Sequence, residues 1–219
     1  MRPKKVILLT GFEPFGGESI NPSWEAVRAL EGKTMSDDSV VAVARLPCAF
    51  VLSLDVLEQQ IRKLKPHLVV CVGQAGGRTE MSIERVAINL DDARISDNAG
   101  AQPIDVPIRA DGPAAYFSSL PIKAIVAALQ ENGIPAAVSQ TAGTFVCNHV
   151  FYGLMQLAAQ LPSIKRAGFV HVPFLPQQAI HHPNAPSMSL EAMVAGLEQV
   201  IESALTVKTD LIVAGGSTH

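Results

Sequence analysis

Aromatic residues make up only 5% of this 219-residue chain, with eight Phe, two Tyr and one Trp. Cysteine is scarcer still: Cys48, Cys71 and Cys147. Three thiols are too few for a disulfide framework and leave one over in any pairing, so a reducing cytoplasm is the expected setting. Charged residues amount to 17%, the net charge is -3, and no basic cluster stands out. A surface with no basic stripe lacks the electrostatic footprint of a nucleic-acid binder, so no nucleic-acid partner is expected. No apolar run reaches the roughly 20 residues of a membrane span, so no membrane role is expected. The run Val6-Ile-Leu-Leu9 behind Met1-Arg-Pro-Lys-Lys5 is too short for a signal peptide, and Gly11 and Pro14 follow it.

Several chemical signatures are missing as well. Gly73-Gln-Ala-Gly-Gly-Arg78 is glycine-rich behind an apolar run, but it is neither a P-loop nor a dinucleotide fingerprint. There is no H-E-x-x-H, no Cys/His pair at zinc spacing and no G-x-S-x-G elbow. His181 and His182 are adjacent, which does not suit chelation from one element. No metal and no cofactor are expected. With no repeat, linker or low-complexity segment, the chain reads as a single α/β domain over 1–219.

What is present is a hydrophobic content of 48%, enough for a sizeable core, arranged in alternating patterns. Strands are expected at Lys5–Thr10, Val40–Leu46, Leu68–Val72, Val86–Leu90, Ile134–Ser139 and Gly168–Val172. Helices are expected at Trp24–Leu30 (capped by Ser23), Val51–Lys65, Ile122–Gln130, Val150–Leu161 and Leu190–Ala204. Val51, Leu54, Leu57, Ile61 and Leu64 keep helical spacing with charges between them. Asp91 to Pro113 is polar and rich in Asp, Pro and Gly, and reads as a loop excursion. Short apolar strands alternating with amphipathic helices imply helices on both faces of a largely parallel sheet. Ligands of such sheets bind at the carboxyl ends of the strands, so the loops after Thr10, Leu46, Val72 and Ser139 should gather there.

The stretch Thr141-Ala-Gly-Thr-Phe-Val-Cys-Asn-His149 carries the candidate chemistry. It places Cys147 at a strand-turn-helix corner, with Thr144 as a possible N-cap. Unpaired N–H groups and the positive helix end there favour a thiolate. A nucleophilic thiol needs an imidazole base and a group to orient that ring. His149 lies two residues on, and i and i+2 on a helix do not face each other. His67 begins a strand, His181 and His182 share a polar loop, and His219 is terminal. His171 stands late in the strand of Phe169-Val-His-Val-Pro173, near the edge where Cys147 is expected. The orienting acid stays open between Glu84, Asp91, Asp92, Asp97 and Asp105, and Arg85 offers Glu84 an ordinary surface ion pair. Phe12 and Phe15 occupy a Gly/Pro loop with no stripe to serve, either packing the loop or walling an apolar pocket.

Three blocks resemble pyroglutamyl peptidase type I, the pyrrolidone-carboxylate peptidase family. They are Gly11-Phe-Glu-Pro-Phe-Gly-Gly17 with Asn21-Pro-Ser-Trp24, Gly73-Gln-Ala-Gly-Gly-Arg78 with Ile83-Glu-Arg-Val-Ala-Ile-Asn89, and Ser139 to His149 with His171-Val-Pro173. The resemblance spans nearly the whole chain, and Cys48 stands where some relatives have Thr. It implies a three-layer α/β/α fold with a largely parallel mixed sheet, similar to nucleoside phosphorylases. It implies a Glu84–Cys147–His171 triad and removal of an N-terminal pyroglutamyl residue from peptides. It further implies a substrate pocket of Phe12, Phe15, Asn21, Gln74, Arg94, Ile95, Phe145 and Val146, with Arg94 near the oxyanion, and a cytosolic, metal-free, often tetrameric enzyme. Two rivals share such a fold: a phosphorylase-like transferase, which needs phosphate and arginines to hold it, and a silent binding protein.

Overall fold

A computed structural model describes residues 5–216; Met1–Lys4 and Ser217–His219 lie outside the described residues. In chain order the elements are β1 (Val6–Phe12), α1 (Pro22–Arg28), β2 (Val40–Leu46), α2 (Leu52–Leu64), β3 (Leu68–Gln74), β4 (Met81–Glu84) and β5 (Val86–Ile88). There follow β6 (Ala115–Phe117), α3 (Ile122–Glu131), β7 (Ala136–Ser139), α4 (Val146–Gln160), β8 (Arg166–Val172), α5 (Pro176–Ala179) and α6 (Leu190–Thr206). Six strands form the main sheet in the order β2-β1-β3-β8-β4-β7, and β5 pairs with β6 in a separate two-stranded sheet.

Strand alternation sorts the apolar side chains into two cores, one on each face. Ile7, Leu9, Val70, Val72, Ile83 and Val170 pack against α1, α3 and α6 through residues such as Val27, Ile125 and Val200. Leu8, Val69, Cys71 and Phe169 pack against α2 and α4 through Leu57, Ile61, Val150 and Leu154. Each buried Leu, Ile or Phe contributes about 1.5–3 kcal/mol, so both helical layers are anchored by their apolar stripes. The architecture is α/β/α in three layers.

β1, β2, β3 and β8 run parallel. β4 pairs antiparallel with β8 and parallel with β7, so the last two strands are reversed. This corrects the expectation that the strand before Cys147 ends at the shared carboxyl edge. β7 ends at Ser139, opposite Glu84, and the loop from Gln140 to Phe145 then carries the chain across to β3. The expected strand at Val86–Leu90 is also corrected. Those residues supply the short β5 of the side sheet, while Met81–Glu84 enters the main sheet.

Helix starts differ in an informative way. Pro22 opens α1 and Asn21, not Ser23, caps it, the Asn21 side chain accepting the Ser23 N–H. The freed Ser23 hydroxyl accepts the Phe12 N–H at 3.0 Å. A Cβ at Gly11 would lie 2.7 Å from the Ser23 and Trp24 backbone, so only glycine lets β1 pass this closely under α1. α4 begins four residues earlier than its apolar pattern implies, at Val146, with Phe145 in the cap position. Thr144 does not cap it; its hydroxyl donates to the Asp92 carbonyl at 2.8 Å.

Candidate active site

The site grows from the switch point of the sheet. The chain leaves β1 for β2 on one side and returns to β3 on the other, so a crevice opens between β1 and β3 at their carboxyl ends. The β1–β3 pairing stops at Thr10 and Cys71, although the strands continue to Phe12 and Gln74. The Ala75 N–H bonds to Val172 on the β8 side. By alternation the main chain of Gln74 therefore faces the opened gap.

Three strands and one helix bring the candidate triad to this edge. Gly73 and His171 are register partners in β3 and β8, and Ser82 is the partner of His171 in β4. Glu84 lies two residues beyond Ser82 on the same face, and its Oε1 is 2.7 Å from His171 Nδ1. Cys147 is the second residue of α4, and its sulfur sits directly over Gly73: a Cβ there would be 2.8 Å from Sγ. His171 is held from below by Phe169, with ring centroids 4.8 Å apart. Among the described residues no hydrogen bond joins the Cys147 thiol to the His171 ring, a spacing that apo sites commonly show before substrate tightens them.

Cys147 is half-buried as a residue, but burial pushes its thiol well above the ordinary range; Cys48 and Glu84 push the same way, and Arg78 pulls it down. The helix start favours a thiolate by at most about 2 kcal/mol. Desolvation is worth up to several pK units at about 1.36 kcal/mol each. Burial wins, so the expectation of a resting thiolate gives way to a neutral thiol that must lose its proton during attack. Among the described residues the N–H groups of Val146, Cys147 and Asn148 make no hydrogen bond, as in any unsatisfied first turn.

The other histidine of the stretch is committed elsewhere. His149 is buried, its Nδ1 is 2.7 Å from Asp91, and its Nε2 accepts the Val51 N–H at 3.2 Å. Asn148 bonds Ile88 and Leu90 main-chain groups. The two residues after Cys147 thus clamp the first turn of α4 to β5 and to the start of α2. His67 bonds the Val6 carbonyl, and His182 bonds Glu18 at 2.6 Å.

The pocket residues separate by role. Phe12 is buried against Phe169, with centroids 6.4 Å apart, on the same face as Cys147. Phe15 and Phe145 meet at 6.2 Å, and Phe50 stands edge-on to Phe145 at 5.4 Å. Phe50 completes this wall, and its only sequence signal was the scarcity of aromatics. Val146 is fully buried in the core behind the wall. Asn21 spends its amide on Ser23 and on the Glu13 carbonyl, so it shapes the Phe12–Phe15 loop. The Gln74 side chain turns to the opposite face, where its Oε1 accepts from buried Gln178 at 3.1 Å. What Gln74 presents to the crevice is main chain. Arg94 and Ile95 are exposed on the loop after Ala93. Among the described residues no group of three or more His, Cys, Asp or Glu is gathered as a metal site, and no helix is long and apolar enough to cross a membrane.

The chain resembles known proteins along nearly its whole length. The family model described as pyroglutamyl peptidase matches residues 4–207. The chain is 60% identical over 216 residues to the pyrrolidone-carboxylate peptidase of Cupriavidus pinatubonensis, spanning 98% of this chain and 100% of that one. It is 54% identical to that of Bacillus thuringiensis, again over 98% and 100%. The solved pyroglutamyl peptidase I of Bacillus amyloliquefaciens is similar with a TM-score of 0.92 at 48% identity, covering 97% of this chain and 100% of that one. The pyrrolidone carboxyl peptidase of Thermococcus litoralis gives 0.91 at 36% identity, over 96% and 99%. With the family model matched along almost its full length, this chain belongs to the pyroglutamyl peptidase family.

Proposed function

We propose that the protein is a cysteine exopeptidase that removes an N-terminal pyroglutamyl residue from peptides, its catalytic groups being Cys147, His171 and Glu84. One observation carries the reading: a buried Glu84–His171 pair at 2.7 Å stands beside a thiol seated over the register partner of that histidine. The Cys147 sulfur attacks the carbonyl between the pyroglutamyl ring and the next residue. His171 takes the thiol proton as the C–S bond forms and returns it to the leaving amine as the C–N bond breaks. Glu84 holds Nδ1 and stabilises the imidazolium. Water, giving its proton to His171, then attacks the thioester; the C–S bond breaks, pyroglutamate leaves, and the Cys147 sulfur regains the proton from His171. The unsatisfied N–H groups at the start of α4 receive the oxyanion. Family resemblance adds Arg94 and Ile95, exposed on the loop after Ala93, to the substrate contacts.

The lactam suits the crevice. It is neutral, flat and small, and it carries one N–H donor and one carbonyl acceptor. Phe12, Phe15 and Phe145 supply apolar walls, and the Gln74 main chain facing the gap supplies one acceptor and one donor. No acid is needed to receive an amino-terminal charge. Residues 1–219 act as one peptidase domain without metal, in the cytoplasm, as a homotetramer; support for the last two points comes from the unpaired thiols and from family resemblance.

Dye release from a pyroglutamyl anilide, in phosphate-free buffer with chelator and thiol reductant, tests the reading. Turnover is expected. A strict need for phosphate points to a phosphorylase, a need for zinc to a metal enzyme, and no turnover under any of these conditions to a binding protein.

A further inference from the structure

Glu84 is wholly buried, and its two oxygens are used unequally. Oε1 receives both His171 Nδ1 and Arg78 Nη1, each at 2.7 Å, while Oε2 is buried with no hydrogen-bond partner among the described residues. A carboxylate in such a place does not stay ionised on one bond from a neutral imidazole, because its desolvation outweighs a single hydrogen bond. The compensating charge is a guanidinium, which remains protonated at any working pH. Its other contacts matter as well. Arg78 Nη2 donates to the Thr141 carbonyl at 3.0 Å, and Nη1 lies 3.4 Å from the Ser139 hydroxyl. Thr141 lies in the loop that delivers Cys147. One side chain therefore spans the acid and the segment carrying the thiol.

We propose, building on the function assigned above, that Arg78 is a positioning residue of the reaction: it keeps Glu84 ionised and aimed at His171, and it fixes the Cys147 loop to that pair. It touches no reacting atom. With Arg78 in place, Glu84, Arg78 and a neutral His171 sum to zero charge, so the ring is free to accept the thiol proton. Without it, a lone buried carboxylate either draws a proton onto His171 at rest or takes up the proton itself. Both outcomes spoil the base. Cys147 from α4, on which Cys71 from β3 and Cys48 from the loop after β2 also act, is favoured as a neutral thiol by burial, as are those two; Glu80, which shares the Arg78 cleft, is an acid. None can replace the lost positive charge. Arg85, the sequence neighbour of Glu84, donates instead to the Gly215 carbonyl at 2.9 Å and is not a substitute.

Arg78 also borders an open cleft of about 380 Å³ shared with Glu80, Ser82, Ser139 and Gln140, so a smaller or straighter side chain is accommodated without overpacking. The test compares wild type, Arg78→Gln and Arg78→Lys by two readouts: the pH profile of kcat/KM on a pyroglutamyl anilide, and the titration of the His171 ring by 15N NMR on the intact enzyme. In Arg78→Gln the acid limb of the profile and the His171 titration should both move to higher pH by about one unit or more, the size of effect a close charge exerts. The opposite NMR outcome, a His171 ring that no longer titrates against an ionised neighbour because Glu84 has gained the proton, also supports the charge role if kcat falls with it. Arg78→Lys should keep the limb near the wild-type position yet lose kcat, since a point charge cannot serve Glu84 and Thr141 together. A uniform fall in kcat/KM with both readouts unmoved in Arg78→Gln would reduce Arg78 to packing and overturn the proposal. A wild type that leaves the anilide intact would instead defeat the functional assignment, and the NMR titration would still decide the role of Arg78.

Discussion

Gly73→Ala adds one methyl group at the most crowded point of the site. The new Cβ would stand 2.8 Å from Cys147 Sγ and 2.9 and 3.0 Å from the Phe169 ring atoms Cζ and Cε1. Comfortable contacts are about 3.5–4.0 Å, so something must shift by roughly 0.7–1 Å. Phe169 cannot give way. It is fully buried and packed on Phe12, Phe151 and His171. Cys147 is half-buried on the first turn of α4, with the crevice beside it, so the sulfur moves. A misplacement of about 1 Å costs on the order of 10²-fold in rate, while overpacking costs about 1–3 kcal/mol in stability. Gly196→Ala is the control. Its Cβ would meet Met81 Sδ at 2.3 Å on the opposite face of the sheet, with a comparable penalty and no path to the thiol. Thermal melts and kcat/KM on a pyroglutamyl anilide should show both variants melting lower, by about 2–4 °C per kcal/mol. Only Gly73→Ala should lose about 10²-fold in kcat/KM. Wild-type kcat/KM in a destabilised Gly73→Ala would refute the placement of the sulfur.

Further outcomes follow from the same geometry. His171→Ala should lower kcat by roughly 10²–10⁴-fold, whereas His149→Ala should act on stability, by about 1–3 kcal/mol for the Asp91 and Val51 partners left unpaired, as measured by urea denaturation. Because burial raises the Cys147 pKa in the folded state, the protonated form is the one the fold favours, and iodoacetamide labelling of Cys147 should accelerate with pH beyond the ordinary thiol value of about 8.5; a plateau already reached below pH 7 would mean a resting thiolate. A prolyl anilide, cationic at nitrogen and lacking the ring carbonyl, should give kcat/KM at least roughly 10³ below the pyroglutamyl one, since sites built around a hydrogen-bonding group reject analogues without it. Equal turnover of the two would mean that the crevice reads ring shape alone.

How much was legible in the sequence follows from which forces are local. β2 was read to the residue and α2 nearly so, because strand alternation and a 3.6-residue stripe are written along the chain. Cys147 at a helix start was legible for the same reason, although Thr144 misled as its cap: the hydroxyl found Asp92, 52 residues away in sequence. β4 escaped because Met81-Ser-Ile-Glu84 is only four residues long and its burial comes from β7 and β8, which no local pattern reports. The acid of the site suffered from the same cause. Arg85 is beside Glu84 in sequence, but neighbours on a strand point to opposite faces, and the true cation, Arg78, arrives through the turn after β3. Asn21 and Gln74 are pocket positions by family resemblance, yet the structure spends both side chains on scaffolding and leaves the crevice the Gln74 main chain. A side chain's identity says what it can bond, not which way it points.

The proposed chemistry requires a pyroglutamyl thioester on Cys147. Rapid acid quench of the enzyme during turnover, followed by peptide mapping with mass spectrometry, measures this directly. A pyroglutamyl adduct is expected on the Cys147 peptide of the wild type, removable by hydroxylamine, with no adduct and no turnover in Cys147→Ala. An adduct on the Cys48 or Cys71 peptide, or full anilide hydrolysis by Cys147→Ala, would contradict it.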